Sequence, residues 1–113
     1  MKLRIVVLAC ALALAIAPWA TSNAANYDVL ELPAVPSALA SKSLIYSVRQ
    51  FGDRFFATGQ HGHILFSDDG GDSWQQAQVP VSSSILDIDF PTPELGWAVG
   101  HEGVILHSAD GGK

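Results

Sequence analysis

The chain has 113 residues, 49% of them apolar, with six Lys/Arg against eleven Asp/Glu. The apolar excess belongs to residues 1–24, and the remainder reads as an ordinary soluble chain long enough for one small domain. That remainder carries four basic and eleven acidic side chains, which argues against a nucleic-acid partner or an anionic membrane surface, since both select Lys/Arg patches.

Lys2 and Arg4 precede an unbroken apolar run from Ile5 to Ala17, followed by Pro18 and small residues. This is the order of a secretory signal peptide. Ser22-Asn23-Ala24 supplies small residues at the cleavage site, so residues 1–24 are read as the signal, with cleavage after Ala25 as the alternative. The run is shorter than the ~20 residues a permanent membrane helix needs. An uncleaved anchor is the competing reading. The only cysteine, Cys10, lies inside this run, and Val7-Leu8-Ala9-Cys10 is a faint lipobox whose apolar run continues past the cysteine. The mature chain is then an exported, periplasmic or secreted, cysteine-free protein stabilised by packing alone, with no membrane span after cleavage.

Residues 25–43 form a lead-in. Pro33, Pro36 and Ser37-Ala38-Leu39-Ala40-Ser41 predict an extended segment with one short strand or a helical turn.

Beyond it the chain repeats itself. Ala57 to Asp72 aligns with Ala98 to Lys113 at a spacing of 41 residues, with nine of 16 pairs identical, including every glycine, the Ile-Leu pair, the serine and one aspartate. The first unit, 44–84, reads as four short strands. Leu44, Tyr46 and Val48 alternate on one face, Gln50–Asp53 turn around Gly52, and Arg54–Thr58 form the second strand. Gly59–Gly62 make a tight connection, His63–Phe66 the third strand and Trp74–Val79 the fourth. The second unit, 85–113, has Leu86, Ile88 and Phe90 alternating, a Pro91-Thr92-Pro93 turn, then strands at Gly96–Val99 and Val104–His107. Aligning the first strands of the two units by their apolar residues needs a spacing of 42. A repeat of this length, with four antiparallel strands and glycine turns, predicts an all-β fold of β-propeller blades, here about two of them.

Ser67-Asp68-Asp69-Gly70-Gly71-Asp72-Ser73-Trp74 fits the pattern Ser-x-Asp-x-Gly-x-Ser/Thr-Trp. Its chemistry is structural. Asp69 accepts backbone N–H groups of its own turn, Gly71 permits a left-handed backbone, and Trp74 folds back as an apolar anchor. Ser67, Asp69, Gly71, Ser73 and Trp74 therefore form a structural set, repeated as Ser108, Asp110 and Gly112. The motif resembles the Asp-box of the bacterial neuraminidase repeat, which joins the third and fourth strands of propeller blades. Leu86-Asp87-Ile88-Asp89-Phe90, Gly96-Trp97-Ala98-Val99-Gly100 and Gly103 to Lys113 together resemble the repeat of the photosystem II stability/assembly factor family. That resemblance covers roughly residues 43–113. It implies a seven-bladed propeller exported to a lumen or periplasm that serves an assembly role without catalysis. Two blades do not close a ring. The expectation is therefore an N-terminal fragment of a protein of about 300–350 residues, the second blade stopping inside its Asp-box. A short chain that closes by oligomerising is the alternative.

Sialidases share the Asp-box, but their chemistry needs an arginine cluster with a Tyr/Glu pair and an acid. After the signal segment only Arg49 and Arg54 remain. Other propeller glycosidases use two aspartates, and Asp87 and Asp89 are the pair to test, since strand alternation puts them on one face opposite Leu86, Ile88 and Phe90. A solvated edge is the commoner use of such a pair. His61 and His63 form a His-x-His, with His101 in the equivalent turn of the next blade, and polar rim histidines explain them better than a metal site. Asp68, Asp69 and Asp72 suggest calcium less than a turn, because Gly-Gly and Trp do not belong to an EF-hand loop. Trp97 is expected between blades. The sequence thus predicts no catalytic residues, no cofactor and no metal, and a module that binds a protein partner, such as a membrane complex during its assembly. A glycan-active propeller enzyme is the alternative.

Overall fold

The computed structural model describes residues 27–113, so the signal segment at 1–24 lies outside the described residues. Two antiparallel meanders make up the chain. The first runs β1 (Ile45–Phe51), β2 (Arg54–Gly59), β3 (Ile64–Ser67) and β4 (Gln75–Gln76), hydrogen-bonded in that order. The second runs β5 (Ile85–Asp89), β6 (Gly96–Gly100) and β7 (Ile105–Ser108), again in chain order. The only helical pieces among the described residues are three-residue 3-10 turns at Ala40–Lys42, Gln60–Gly62 and His101–Gly103. The fold is all-β, and the two sheets are blades of propeller type.

The repeated glycines have a steric cause. A side chain at Gly59 would place its Cβ 2.5 Å from the Leu44 carbonyl oxygen, and one at Gly100 would lie 2.5 Å from that of Ser84. In each blade the second strand ends against the residue that leads into the first.

Two details of register correct the sequence reading. Ile45 pairs with Gly59 and Ser47 with Thr58, so Tyr46 is an extra residue in a β-bulge. Ile85 pairs with Gly100 and Asp87 with Val99, so Leu86 is its counterpart. A bulge breaks strand alternation. Leu86 accordingly leaves the face of Ile88 and Phe90 and is 38% exposed, while Ile85 is fully buried. The inner strands thus align at a spacing of 40, not 42, and Val48 corresponds to Ile88. The difference from 41 is one additional residue in the β5–β6 hairpin, which carries Pro91 and Pro93.

The main core lies between the blades. Phe56 and Ile64 from the first blade meet Ile85, Ile88, Phe90 and Ala98 from the second. Burying each large apolar side chain stabilises by about 1.5–3 kcal/mol, so this seam holds most of the cohesion. The fourth strand is shorter than predicted. After Gln76, Ala77 donates its N–H to the Ile64 carbonyl at 2.8 Å, then Val79 and Val81 leave the sheet to fill the seam.

The lead-in packs on the first blade as a strap with one 3-10 turn. Val29 and Val79 carbonyls accept the N–H groups of Ser82 and Ala34 at 2.8 and 2.9 Å. The Gln76 amide bonds the Ser37 N–H and the Val35 carbonyl. Ala40 lies on Ala57 and Leu65 in a second small core that Trp74 flanks.

Repeat equivalence exposes one face. Phe56, Thr58 and Ile64 are 2, 0 and 6% exposed at the seam. Their counterparts Trp97, Val99 and Ile105 are 43, 43 and 72% exposed on the outward side of the second blade. Trp97 therefore does not lie between the two blades; it sits beside His107, ring centroids 4.6 Å apart.

Candidate functional site

The Asp-box between β3 and β4 is a closed hydrogen-bond system. The Ser67 hydroxyl donates to Asp69 Oδ1 at 2.7 Å and accepts the Gly71 N–H at 2.8 Å. Asp69 also accepts the Ser73 N–H at 2.9 Å and the Ser73 hydroxyl at 2.5 Å. Trp74 donates its indole N–H to the Gly71 carbonyl at 3.0 Å. The Ser73 hydroxyl, then its N–H and the Ser67 hydroxyl, pull the Asp69 carboxyl down to about 2. After β7, Ser108 donates to Asp110 at 2.8 Å, and the Gly112 and Lys113 N–H groups bond Ser108 Oγ and Asp110 Oδ1 at 2.8 and 3.2 Å. The Ser108 hydroxyl, foremost, lowers the Asp110 carboxyl as well. Both aspartates are acceptors at neutral pH, committed to holding turns.

Arg54 links the two Asp-boxes. It holds Asp68 in a two-point ion pair, Nε to Oδ1 at 2.6 Å and Nη2 to Oδ2 at 2.9 Å, and donates Nη1–H to the Gly111 carbonyl at 3.0 Å. Its guanidinium also stands 4.9 Å from the centre of the Phe66 ring. Asp68 is thus an ion-pair partner.

The inner strands carry a second clamp. Arg49 Nε and Nη2 bond Asp87 Oδ1 and Oδ2 at 2.9 and 2.5 Å, and the Ser47 hydroxyl reaches Oδ1 at 2.7 Å. The Arg49 hydrogen bond above all, then Ser47, holds the Asp87 carboxyl well below the usual carboxylate range. Asp87 is thus an ion-pair partner held ionised by a guanidinium, a state that does not serve a proton donor near neutral pH. Asp89 lies exposed at the end of the same strand. Neither Arg49 nor Arg54 was legible as a site residue, because their partners lie 38 and 14 positions away with no motif joining them.

At the opposite end of the blades from the hairpins, the Gln60–Gly62 and His101–Gly103 turns form a rim. Gln60 and His101 donate their N–H groups to the Leu44 and Ser84 carbonyls at 3.1 and 2.9 Å, fixing each turn to the entry of the inner strand. His61 and Glu102 occupy the same place in the two turns, at φ of 58° and 54°. The Ser83 hydroxyl bonds the Glu102 carboxylate. His101 lies exposed, its ring centroid 6.5 Å from that of Tyr46.

His63 corrects the surface reading of the histidines. It is 6% exposed, with Nδ1 3.3 Å from the Ser43 hydroxyl, and burial followed by the nearby His61 lowers its pKa. The His61 and His63 rings are 6.0 Å apart, edge to face. Among the described residues no three metal-ligating side chains converge. No helix among them is long and apolar enough to cross a membrane.

These turns and seams define the chain as Asp-box β-propeller blades. Within that class its C-terminal part is similar to one family: the family described as photosynthesis system II assembly factor YCF48 matches residues 72–113. A "Photosystem II assembly protein Ycf48" from Synechococcus sp. (strain JA-2-3B'a(2-13)) is 49% identical over 41 residues, covering 34% of this chain and 12% of the relative. A chloroplastic "Photosystem II stability/assembly factor HCF136" from Cyanidioschyzon merolae is 42% identical over 45 residues, 38% of this chain and 10% of the relative. A "Photosystem II assembly lipoprotein Ycf48" from Synechococcus sp. (strain CC9902) is 34% identical over 62 residues, 51% of this chain and 18% of the relative. The chain thus spans less than a fifth of the length of these curated relatives. No solved structure matches it.

Proposed function

We propose that the protein is an exported, non-catalytic propeller scaffold that binds a protein partner while a membrane complex is assembled. The relatives that match it are named as assembly factors, which supports the assembly role. Export rests on the Lys2/Arg4-led apolar segment and is compatible with a lipoprotein and chloroplastic factors among the relatives. The seam logic supports a larger propeller in the whole protein, with another blade seated on Trp97, Val99 and Ile105.

One observation carries the partner reading. His61 and Glu102 are non-glycine residues held left-handed at one position in two turns that otherwise keep their glycines. Such backbone costs of order 1–3 kcal/mol and persists where a projecting side chain is useful. The frame is constant and the displayed side chains differ, as in a recognition rim. The polar residues of the Asp-boxes and the inner clamp are already committed to structure, which weighs against the glycan-active alternative.

The test expresses the tagged protein in its source organism and follows it by native electrophoresis of solubilised membranes. Co-migration with an assembly intermediate, lost in a His61→Gly/Glu102→Gly variant that stays folded, is the expected result. Co-migration unchanged in that variant removes the rim as the binding surface, and turnover of sialosides or other glycosides by the wild type favours the enzyme.

A further inference from the structure

His63 stands where the lead-in strap, the first rim turn and the body of the first blade meet. Its main chain closes the turn: its N–H donates to the Gln60 carbonyl at 3.1 Å, and its carbonyl accepts the Gly59 N–H at 2.9 Å. Its side chain is buried against the strap. The ring bonds the Val35 carbonyl, and Nδ1 lies 3.3 Å from the Ser43 hydroxyl. The repeat counterpart of His63 is Val104, a buried member of the seam core. The fold thus needs only an apolar side chain at this position, and the first blade places a titratable one there.

A neutral imidazole fits the site. One ring N–H donates to Val35, and Nδ1 accepts the Ser43 hydroxyl. A second ring proton makes Nδ1 a donor. The Ser43 hydroxyl then turns to the Ala40 carbonyl, 2.6 Å away, but the new charge finds no counterion. Of the strap's charged residues, Asp28, Glu31 and Lys42, none acts on the ring, and residues 79–84 carry no charge. Tyr46 of β1 faces His101, and Arg54 of β2 is paired with Asp68 at the far end of the blade. The titratable group that does act on His63 is His61, whose charge repels it. A buried charge without a partner is costly, and the site relieves that cost by opening to water.

The strap is the part that yields. Besides His63, it is held by the Ala34 and Ser82 main-chain bonds, by the Gln76 amide and by Ala40 on its small core. We propose that His63 is a pH-operated latch: protonation of its ring releases the lead-in strap from the first blade and frees the turn that displays His61, while the blade stays folded. The latch does not depend on what the rim binds.

The test measures amide exchange in the isotope-labelled protein between pH 8 and pH 5, expressed as protection factors so that the intrinsic pH dependence cancels. Protection of Ala34 and Ser82 is expected to fall several-fold, within the roughly ten-fold per pH unit that uptake of one proton permits, while Phe56 and Ala57 keep theirs. The fall begins near 6.5 and levels off where the His63 ring, observed through its carbon-bound protons, titrates in the closed protein. His63→Val, which copies Val104, keeps the strap protected throughout. His61→Gln weakens the response, because the closed site then tolerates the proton better. Strap protection that does not change across the range overturns the proposal. So does release that persists in His63→Val, or release that comes only with equal loss of protection in β2, which is global unfolding.

Discussion

The Phe56 and Phe90 rings lie stacked across the blade seam, centroids 4.6 Å apart and planes within 13°. Phe51 closes on both from β1, at 6.2 Å from Phe56 and 5.7 Å from Phe90. Each blade contributes to this aromatic group, so neither buries its face alone. Phe56→Ala is expected to cost about 3–5 kcal/mol in urea unfolding, the usual price of a large cavity. Trp97→Ala, at the repeat-equivalent position on the uncovered face, is expected to cost under about 1 kcal/mol. Equal losses would mean that Trp97 is covered.

Thr58 is fully buried at the same seam, and its hydroxyl has no hydrogen-bond partner. The repeat itself suggests the remedy, since its counterpart is Val99. Thr58→Val keeps the shape and removes the unsatisfied group, and is expected to stabilise the fold by about 1 kcal/mol. A loss of stability on thermal unfolding would show that the hydroxyl is satisfied in solution.

Gly62 and Gly103 share a left-handed backbone, at φ of 73° and 74°, but not an environment. A Cβ at Gly62 would fall 2.1 Å from the Val81 carbonyl oxygen and 3.0 Å from the Ala34 methyl, whereas nothing lies within 4 Å at Gly103. Gly103→Ala should cost about 1 kcal/mol from backbone strain alone. Gly62→Ala should cost well beyond that and detach the lead-in strap, read as faster amide exchange at Ala34 and Ser82. Equal effects would contradict the packing of the strap.

How far the sequence reaches is visible in these same residues. Glycines and Asp-box residues could be read because each serves a local turn, and local turns leave a fixed spacing. The bulges at Tyr46 and Leu86 could not, since a bulge depends on which residues pair across the sheet, and both positions are apolar either way. His63 resembled its neighbour His61 in the sequence, yet the strap buries one and leaves the other on the rim. The Arg49–Asp87 clamp joins blades, and a contact between blades has no signature in a single repeat.

His63 sets the upper end of the pH dependence, and a set of lowered carboxylates that includes Asp69 sets the lower end. Asp69, at about 2 in the fold against 3.8 unperturbed, adds stability that is full above pH 4 and is lost as pH falls toward 2. His63 is lowered from 6.5, so the fold favours its neutral form, and its contribution is full above that value and declines as pH falls below it. Denaturant midpoints measured from pH 8 to 2 should therefore fall in two steps, the upper one removed by His63→Gln and the lower one reduced by Asp69→Asn but not abolished, since Asp68, Asp87 and Asp110 are lowered as well. An upper step that survives His63→Gln would assign it elsewhere.

Native-state amide hydrogen exchange tests most directly whether the two Asp-box blades form one rigid scaffold. The account predicts that amides of β2 and β5, on opposite sides of the seam, exchange through a single global opening with the same free energy. Faster exchange is confined to the free edge of β7 and to the lead-in. Separate opening free energies for the two blades, with β5 exchanging while β2 stays protected, would contradict it.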